Sequence, residues 1–452
     1  MSDSEEQLNA GLANKPKAAG VLPVATGGLS SKGSMINLIA KSLWNRKGTA
    51  LLTLFSIAIS VALLIGVEQI RKGVRTSFSS AVSGTDLIVG ARGGSLQLLL
   101  YSVFRMGNAP NNLTWESYQD FKKHSRVRWT IPFSLGDSHH GYRVLGTIHD
   151  YFKRFRYGNR QRLKFSEGKP FSGVFDAVLG SEVARKRKYR LNDPIIVSHG
   201  TGSSSFLKHE DRPFTVVGIL APTGTPVDQT VHVSLEGITA MHIDWESGAP
   251  PMEEDRIDNE EVLKRDLTPE AITAFLVGLR SKIHAFSLQR EVNTYREEPL
   301  SAILPGAALQ ELWELLRTAE TGLRVISAFV VLAGLLGMMT ALLSGLNERR
   351  REMAILRSVG AGPGTISGLL IGEAMLLSLS GIILGMLLLY LLLFFAQPIL
   401  QTRLGLFLPL TPPGIQDYSV LFAIVIAGML MGALPAYRAY RQSLADGMSI
   451  RL

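Results

Sequence analysis

Four long runs of apolar residues restrict this chain to a fold that crosses a membrane. The runs 49–67, 325–346 and 419–436 contain no charged residue, and the run 365–396 contains only Glu373. A helix needs about 20 consecutive apolar residues to cross the hydrocarbon core of a bilayer. A single run of this kind could be a buried core helix, but four runs with basic flanks predict four transmembrane helices. Because the run 365–396 is longer than a bilayer requires, we expect its first turns to lie at the interface.

Charges beside these runs predict the orientation of the chain. Lysine and arginine concentrate in cytoplasmic loops near the ends of transmembrane helices. Here they cluster before the first run, in the loop 347–364 and after the fourth run, whereas the loop 397–418 has Arg403 as its only basic residue. We therefore expect both termini and the loop 347–364 to be cytoplasmic. The basic residues behind this prediction are Lys41, Arg46, Lys47, Arg349, Arg350, Arg351, Arg357, Arg438, Arg441 and Arg451.

The segment between the first two runs, 68–324, is predicted to be an α+β domain outside the cytoplasm. Strand-like runs such as DLIVG at 86–90 and FTVVGIL at 214–220 alternate with turn signals and helical patterns. Leucines at helical spacing in 308–327 predict a stalk helix that continues into the second run. Basic residues at 71–75 oppose the predicted orientation, but the charge rule has little force at the start of a long translocated segment.

The N-terminal part is expected to lie in the cytoplasm without forming a signal peptide. It starts MSDSEEQ, has no early apolar region, and is rich in Gly, Ala, Ser and Pro. The next residues separate polar from apolar side chains on two helical faces, which favours an interfacial helix over a plain extension of the first span. The predicted order is a disordered tail 1–33, an amphipathic helix 34–48, span 49–67, domain 68–324, span 325–346, cytoplasmic helix 347–364, span 365–396, periplasmic loop 397–418, span 419–436 and cytoplasmic tail 437–452.

Glycines recur every four residues in the third and fourth spans. Small residues at this spacing let helix backbones approach closely in a membrane. Membrane helices are rich in glycine in any case, and the spacing does not tell whether the packing lies within one subunit or between two. The glycines predicted to pack against other helices are Gly364, Gly368, Gly372, Gly381, Gly385, Gly428 and Gly432.

The sequence lacks the motifs of the common catalytic sites. There is no GxxxxGK[ST] loop, so the chain is not expected to bind ATP or to supply the energy of its own motion. No nucleophile elbow and no HExxH spacing occurs, so we predict no catalytic residues and no enzyme activity. With no cysteine, the chain has neither disulfides nor thiolate chemistry.

Several stretches resemble the FtsX-like and MacB-like permeases, the type VII ABC transporter family. The most specific is NERRREMAILRSVGAGPGTISGLLIGEAMLLSLSGIILG at 347–385, with its pattern E-R-x-x-E-x-x-x-x-R-x-x-G. The remaining stretches are SLWNRKGTALLTLFSIAISVALLIGV at 42–67, GTDLIVG at 84–90, LGSEVARKRKYRLNDPIIV at 179–197, where Asn192 replaces a common glycine, and GALPAYRAYRQSLADGM at 432–448.

This resemblance implies a function as one half of a two-part machine. A separate cytoplasmic ATPase would bind ATP and Mg²⁺, and a pair of permeases would transmit its motion to their periplasmic domains. The family extrudes or extracts amphiphiles such as lipoproteins, drugs, peptides or haem. Some FtsX-type members instead regulate envelope enzymes and move no substrate. Their extracytoplasmic domain is smaller than the segment 68–324, which favours transport here, with regulation as the alternative.

The same resemblance implies the location and the partners. The chain is expected to be a multi-pass protein of the bacterial inner membrane. Its expected partners are a cytoplasmic ABC ATPase subunit, a second permease copy or a paralogue, membrane lipids, and a periplasmic adaptor or lipoprotein. Basic clusters at 153–164 and 185–190 would suggest nucleic acid in a soluble protein. Outside the cytoplasm we expect instead a solvated face, anionic lipid or an acidic partner, and no nucleic acid.

The charged loop between the second and third spans is the predicted coupling site. Its residues form a helix with one charged and one apolar stripe, which ends at glycine and proline. The spacing leaves two alternatives open, since the arginines could dock in a groove of the ATPase or only fix the topology and meet lipid phosphates. The resemblance favours docking, because helix-in-groove contacts carry force between subunits. The predicted coupling residues are Glu348, Arg349, Arg350, Arg351, Glu352, Arg357 and Gly360.

Two further sets of ionisable residues bear on function. Glu373 is an acidic residue near the start of a span, and we predict a salt bridge with the loop arginines rather than proton coupling. All nine histidines lie in 68–324, and Asp137 sits beside His139 and His140. A metal or haem site at these histidines is conceivable. No two of them show the spacing of a closed metal site, so we predict no metal ligands and no bound cofactor.

Overall fold

Most of the chain outside its termini is described by the computed structural model. The predicted tail 1–33, most of the predicted helix 34–48 and most of the tail 437–452 lie outside the described residues, as does Arg349. Side chains are not described at 347–348, 350–351 and 401–404. The described residues are 39, 43–44, 46–81, 83–200, 209, 211–244, 257–348, 350–404 and 411–441.

Long helices stand at both ends of the described chain and short ones between them. The apolar runs give the long helices, which extend well beyond the about 20 residues that a bilayer requires. In chain order the α-helices are α1 Lys47–Ala81, α2 Ser95–Val103, α3 Trp115–Lys123, α4 Asp150–Arg154, α5 Ser181–Arg187, α6 Leu235–His242, α7 Asn259–Val262, α8 Ala285–Asn293, α9 Pro305–Glu348, α10 Arg350–Ser358, α11 Pro363–Leu404 and α12 Ile415–Arg441.

Strands fill the segment between α1 and α9. Runs rich in Val, Ile and Phe form the longer ones, as expected for residues that pack well on a pleated surface. The strands are β1 Leu87–Ala91, β2 Leu113–Thr114, β3 Val127–His139, β4 Tyr142–Thr147, β5 Arg156–Tyr157, β6 Gln161–Arg162, β7 Phe165–Gly168, β8 Asp176–Leu179, β9 Pro194–Ile195, β10 Ser198–His199, β11 Phe214–Leu220, β12 Thr230–Ser234, β13 Ala271–Ile272, β14 Ala274–Leu279 and β15 Leu300–Ile303.

One mixed sheet organises this segment. Its order is β15-β1-β14-β3-β4-β12-β8-β11-β7, with β10 paired to β3 and β9 paired to β11. The pairs β4 with β12 and β8 with β11 are parallel, and the other pairs in the sheet are antiparallel. Helices and a mostly antiparallel sheet in one segment confirm the predicted α+β class.

Helices cover both faces of this sheet. Ile88 of β1 packs into one hydrophobic cluster with residues of α2 and α4, whereas its neighbours Leu87 and Val89 pack into another with residues of α3 and α8. This alternation follows from the period of two in a β-strand. The first cluster also takes in Ala81 from the end of α1 and Leu309 from the beginning of α9. The ends of two long helices are therefore part of the core of the domain.

Among the described residues, four helices are long and apolar enough to cross a membrane: α1, α9, α11 and α12. They contain the four predicted apolar runs, and the large domain lies between the first and the second of them. The chain divides into two compact units. Residues 1–53, 338–377 and 428–452 make the first unit, and residues 54–337 and 378–427, with the sheet, make the second.

Candidate functional site

The cytoplasmic loop predicted from its charges contains a short helix, α10, which we call the coupling helix. Its C-terminus is closed by Gly360, whose φ of +100° is one that residues with a side chain rarely adopt. The Ala361 amide donates to the Leu356 carbonyl over 2.9 Å, as in glycine-terminated helices. The next helix then begins at Pro363, where the missing amide hydrogen costs nothing.

One face of the coupling helix is fixed inside its own unit. Met353 and Ala354 are buried, and Met353 packs in a cluster with Leu346 of α9, Ile366 of α11 and Ala436 of α12. Burial of such a side chain contributes about 1.5–3 kcal/mol. The coupling helix is thus held by the ends of three membrane helices.

Two arginines bind backbone carbonyl groups of membrane helices. Arg357 donates from Nη2 to the carbonyl of Ala439 in α12, over 2.7 Å. Arg46 donates from Nη2 to the carbonyl of Gly345 in α9, over 2.8 Å. Arg357 therefore ties the coupling helix to α12, and its contact with an ATPase stays a prediction.

The opposite face of the coupling helix carries an exposed apolar pair. Ile355 is 55% exposed and Val359 is 74% exposed, one turn apart, with exposed Glu352 on the same face. Residues spaced by three and four positions lie on one side of a helix. The side chains of Glu348, Arg350 and Arg351 lie outside the described residues, as does Arg349.

Glu373 of α11 is completely buried. Its neighbour Ala374 is in contact range of Gly432 of α12, since a Cβ added at Gly432 would lie 2.6 Å from the Ala374 Cβ. The salt bridge between Glu373 and the loop arginines stays a prediction, because the side chains at 349–351 lie outside the described residues.

Four of the predicted packing glycines lie against other segments of the same chain. A Cβ at Gly381 would lie 2.6 Å from Ile57 Cγ2, and one at Gly385 would lie 2.6 Å from the Ala58 carbonyl oxygen. Both glycines are therefore packed against α1. The side chain of Ile39 packs against Gly372, and that of Ala374 packs against Gly432. The close approach predicted from their spacing therefore occurs within one chain.

The other three glycines differ from one another. Gly364 lies in the exposed first turn of α11, and no described atom lies within 4 Å of where its Cβ would be. Gly368 on α11 is half-buried and Gly428 on α12 is buried.

A network of charges joins the three long helices α1, α9 and α12. Glu68 of α1 pairs with Arg71 at 2.5 Å and with Arg324 of α9 at 3.6 Å. Lys72 donates to both carboxylate oxygens of the buried Asp417 in α12, at 3.0 and 3.1 Å. We call these residues, together with Glu320, the stalk network. The pair of Lys72 with Asp417 could not be predicted from the sequence, because no local pattern reveals a partner 345 positions away.

Histidines of the domain also meet in a way that spacing could not show. His199, His209 and His242 bring their ring nitrogens within 4.8 Å of one another. Burial, together with the other histidines, lowers the pKa of His209 to about 3, and burial lowers the pKa of His242. Both shifts favour the neutral imidazole near pH 7.

The fold and these sites define a class of protein, a polytopic membrane protein with a large domain inserted after its first span. Two family models match the chain: the FtsX-like permease C-terminal model over residues 324–444, and the MacB-like periplasmic core domain model over residues 50–294, which is more than half of it. The chain therefore belongs to the MacB-like and FtsX-like ABC transporter permease family.

Similar proteins carry names from the same family. The chain is 24% identical over 423 residues to the macrolide export ATP-binding/permease protein MacB of Nitrobacter winogradskyi, covering 88% of this chain and 58% of that protein. The periplasmic region of MacB from Actinobacillus actinomycetemcomitans matches at 13% identity and a TM-score of 0.32, over 52% of this chain and 97% of that one. The extracellular domain of the noncanonic ABC-type transporter YknZ from Gram-positive bacteria matches at 14% identity and a TM-score of 0.28, over 48% of this chain and 99% of that one.

Proposed function

We propose that this chain is the permease subunit of an ABC transporter and that a separate cytoplasmic ATPase docks on its coupling helix. ATP-driven motion of that ATPase would pass through the membrane helices to the large domain, which would extrude or extract an amphiphilic substrate. The observation that carries the proposal is the two-faced coupling helix, with Met353 buried among three membrane helices and Ile355 and Val359 exposed.

This geometry suits a helix that lies in a groove of another protein. Apolar anchors at i and i+4 are the usual contacts of such a helix. Burial of Ile355 and Val359 would contribute about 1.5–3 kcal/mol each, and Glu352 beside them would orient the contact. The arginines at 349–351 are proposed to meet acidic residues of the ATPase, and both termini are proposed to lie on that cytoplasmic side.

The energy is proposed to come from the partner. The sequence has no GxxxxGK[ST] loop, and the relative of N. winogradskyi, named as both ATP-binding and permease, is longer than the part this chain matches. We infer that a separate subunit supplies ATP and Mg²⁺ binding, that this chain binds no cofactor for that step, and that two permeases, identical or paralogous, face two ATPases.

Transmission through the membrane is supported by contacts at the outer ends of the helices. Ala81 and Leu309 are buried in the domain core, so α1 and α9 cannot move independently of the sheet. The stalk network adds charged pairs between α1, α9 and α12. A displacement of these helices would therefore reach the domain as a rigid-body movement.

The substrate is proposed to be an amphiphile such as a lipoprotein, drug, peptide or haem. The match of the MacB-like core domain model over 50–294 favours transport over regulation of an envelope enzyme. Deletion of the gene separates the two functions, since transport predicts retention of a substrate at the bacterial inner membrane, whereas regulation predicts a defect in division or wall cleavage. A lipoprotein or adaptor at the domain would be a further partner.

Docking is tested by site-specific photo-cross-linking in the membranes of the organism that encodes the chain. A benzoylphenylalanine at Val359 should cross-link to a protein that carries a P-loop, whereas one at Thr365, exposed on the next helix, serves as the control. Cross-linking of Val359 to lipid alone would contradict the proposal. It would support the alternative, in which the loop only fixes the topology of the chain.

The functional counterpart is the substitution Val359→Asp. With the captured ATPase in a reconstituted complex, it should reduce the stimulated ATP hydrolysis at least tenfold, because a carboxylate replaces an apolar anchor. Thr365→Asp places the same charge at a helix N-terminus, where it is tolerated, and should leave the rate unchanged. Equal rates for Val359→Asp and the unaltered chain would exclude this face as the docking surface.

A further inference from the structure

Three histidines from separate parts of the domain converge on one point. His199 ends β10, His242 ends α6, and His209 lies on the chain between β10 and β11. Their ring centroids are 4.4, 4.9 and 5.0 Å apart. Three imidazoles at this distance offer the nitrogen donors that transition metals prefer.

A carboxylate completes the set. Asp137 of β3 is 5% exposed, and its Oδ1 lies 3.2 Å from His199 Nδ1 and 3.7 Å from His242 Nε2. We call these four residues the histidine cluster. Three nitrogens and one carboxylate oxygen are a ligand set found at tetrahedral zinc sites.

The hydrogen bond of His242 determines which of its nitrogens can bind a metal. Its Nδ1 lies 2.8 Å from the carbonyl of Ile238, which only an N–H can satisfy. In the neutral ring Nε2 then carries the lone pair, and this buried atom has no hydrogen-bond partner among the described residues. Nε2 lies 3.7 Å from Asp137 Oδ1, so a cation placed between the two atoms would be bound by both.

The surrounding structure holds these ligands in place. Arg212 is 1% exposed and binds both oxygens of Asp244 at 2.8 and 2.6 Å, which ties the chain after His209 to the end of α6. The His209 amide donates to the Val197 carbonyl over 3.0 Å, and His199 is paired with Asp137 in the sheet. A first coordination shell supported in this way is preorganised for binding.

Only small movements separate this geometry from a metal site. Nitrogens at the corners of a triangle with 4.8 Å edges lie about 2.8 Å from its centre, and a Zn–N bond needs about 2.0–2.1 Å. Changes of side-chain torsion that shift each nitrogen by less than about 1 Å close the gap. His199 and His242 are partly exposed, so an ion can reach the cluster from solvent.

We propose that His199, His209, His242 and Asp137 bind one divalent transition-metal ion, with Zn²⁺ as the preferred ion. Such an ion would fasten β3, β10 and α6 to one another in the domain. This goes beyond the proposed transport function and does not depend on it. The spacing of the histidines gave no sign of the site, because its ligands come from four separate segments.

The experiment uses the full chain without a polyhistidine tag, in nanodiscs, after removal of metals with a chelator. Titration calorimetry with ZnCl₂ should show one Zn²⁺ per chain, and Co²⁺ should give the intense visible absorption of a tetrahedral complex. His242→Ala and Asp137→Asn should each weaken Zn²⁺ binding about 10–100-fold or more. His124→Ala is the matched control, since His124 also faces a carboxylate, Glu291 at 3.1 Å, but lies outside the cluster.

Melting temperatures measured in chelator establish that each variant is folded. If His242→Ala does not fold, Asp137→Asn, which keeps the size of the side chain, decides the question. The proposal is overturned if Zn²⁺ and Co²⁺ do not bind saturably, or if the folded cluster variants bind Zn²⁺ as tightly as the His124→Ala control. Saturable binding of Cu²⁺ or Ni²⁺ without Zn²⁺ would overturn the choice of metal.

Discussion

Individual arginines in this chain illustrate how position determines the contribution of a charge. Arg212 is enclosed by Asp244 and by the carbonyl groups of Ala240 and Ile257, with bond lengths from 2.6 to 3.1 Å. Arg265, in contrast, pairs with Glu261 at 3.2 Å on an exposed helical turn. When a buried charge loses its partner, the desolvation free energy of that charge is no longer compensated. An exposed charge that loses its partner is simply hydrated again.

Replacement of Asp244 tests this difference. Asp244→Ala should lower the free energy of unfolding of the domain by about 3–5 kcal/mol, because Arg212 would remain buried without its carboxylate. Arg265→Ala is the control, with an expected loss below about 1 kcal/mol. Melting temperatures of the two variants in the same detergent provide the measurement. Similar values for both would mean that Arg212 is not confined as the structure indicates.

At the scale of helices, glycine determines how closely α1 and α11 approach. Gly385 meets the carbonyl oxygen of Ala58 and the Cβ of Val61, where a methyl group would lie 2.6 and 3.0 Å from them. The backbone of α1 cannot move aside without breaking further contacts on the same face. Gly337 of α9, in contrast, has no described atom within 4 Å of its Cβ position.

The same substitution at these two glycines should have opposite effects. Alanine is favoured over glycine inside a helix by about 1 kcal/mol, so Gly337→Ala should leave the stability unchanged or raise it. Gly385→Ala should lower the melting temperature and the yield of folded protein, because the overlap with α1 costs about 1–3 kcal/mol. Thermal unfolding in nanodiscs measures both, and equal effects would contradict the close contact.

On the scale of the whole molecule, the core of the domain buries ionisable side chains among apolar ones. His232 of β12 is completely buried, with its ring 5.3 Å from Tyr151 and 6.0 Å from Phe152. Burial lowers the pKa of His232 to about 3. The unfolded chain binds a proton at His232 below about pH 6.5, whereas the folded domain binds it only near pH 3. The stability that His232 contributes is therefore lost as the pH falls from 6.5 towards 3.

Acidification from pH 7 to pH 5 should accordingly lower the free energy of unfolding by about 2 kcal/mol through His232 alone. The variant His232→Phe, which keeps a ring in the aromatic cluster, should show a smaller fall in melting temperature over this range. His284→Gln, on a surface turn, should keep the pH dependence of the unaltered chain. An unchanged dependence in His232→Phe would show that other groups cause the acid sensitivity.

Periodicity and composition by themselves determined the membrane spans, the α+β class of the inserted domain and the two-faced coupling helix. These features arise from local physical rules, since apolar runs must leave water and a helix repeats every 3.6 residues. The glycine spacing predicted close packing but not its partner, and among the described residues Gly364 has no atom within 4 Å of its Cβ position.

Only the tertiary structure decided the features that depend on residues far apart in the chain. It joined Arg357 to the Ala439 carbonyl and Lys72 to Asp417, and it buried Glu373 completely. It also brought His199, His209 and His242 together on Asp137. The physical reason is that sheet pairing and helix packing, which set these distances, follow from the burial of the whole chain and leave no trace in the spacing of the residues concerned.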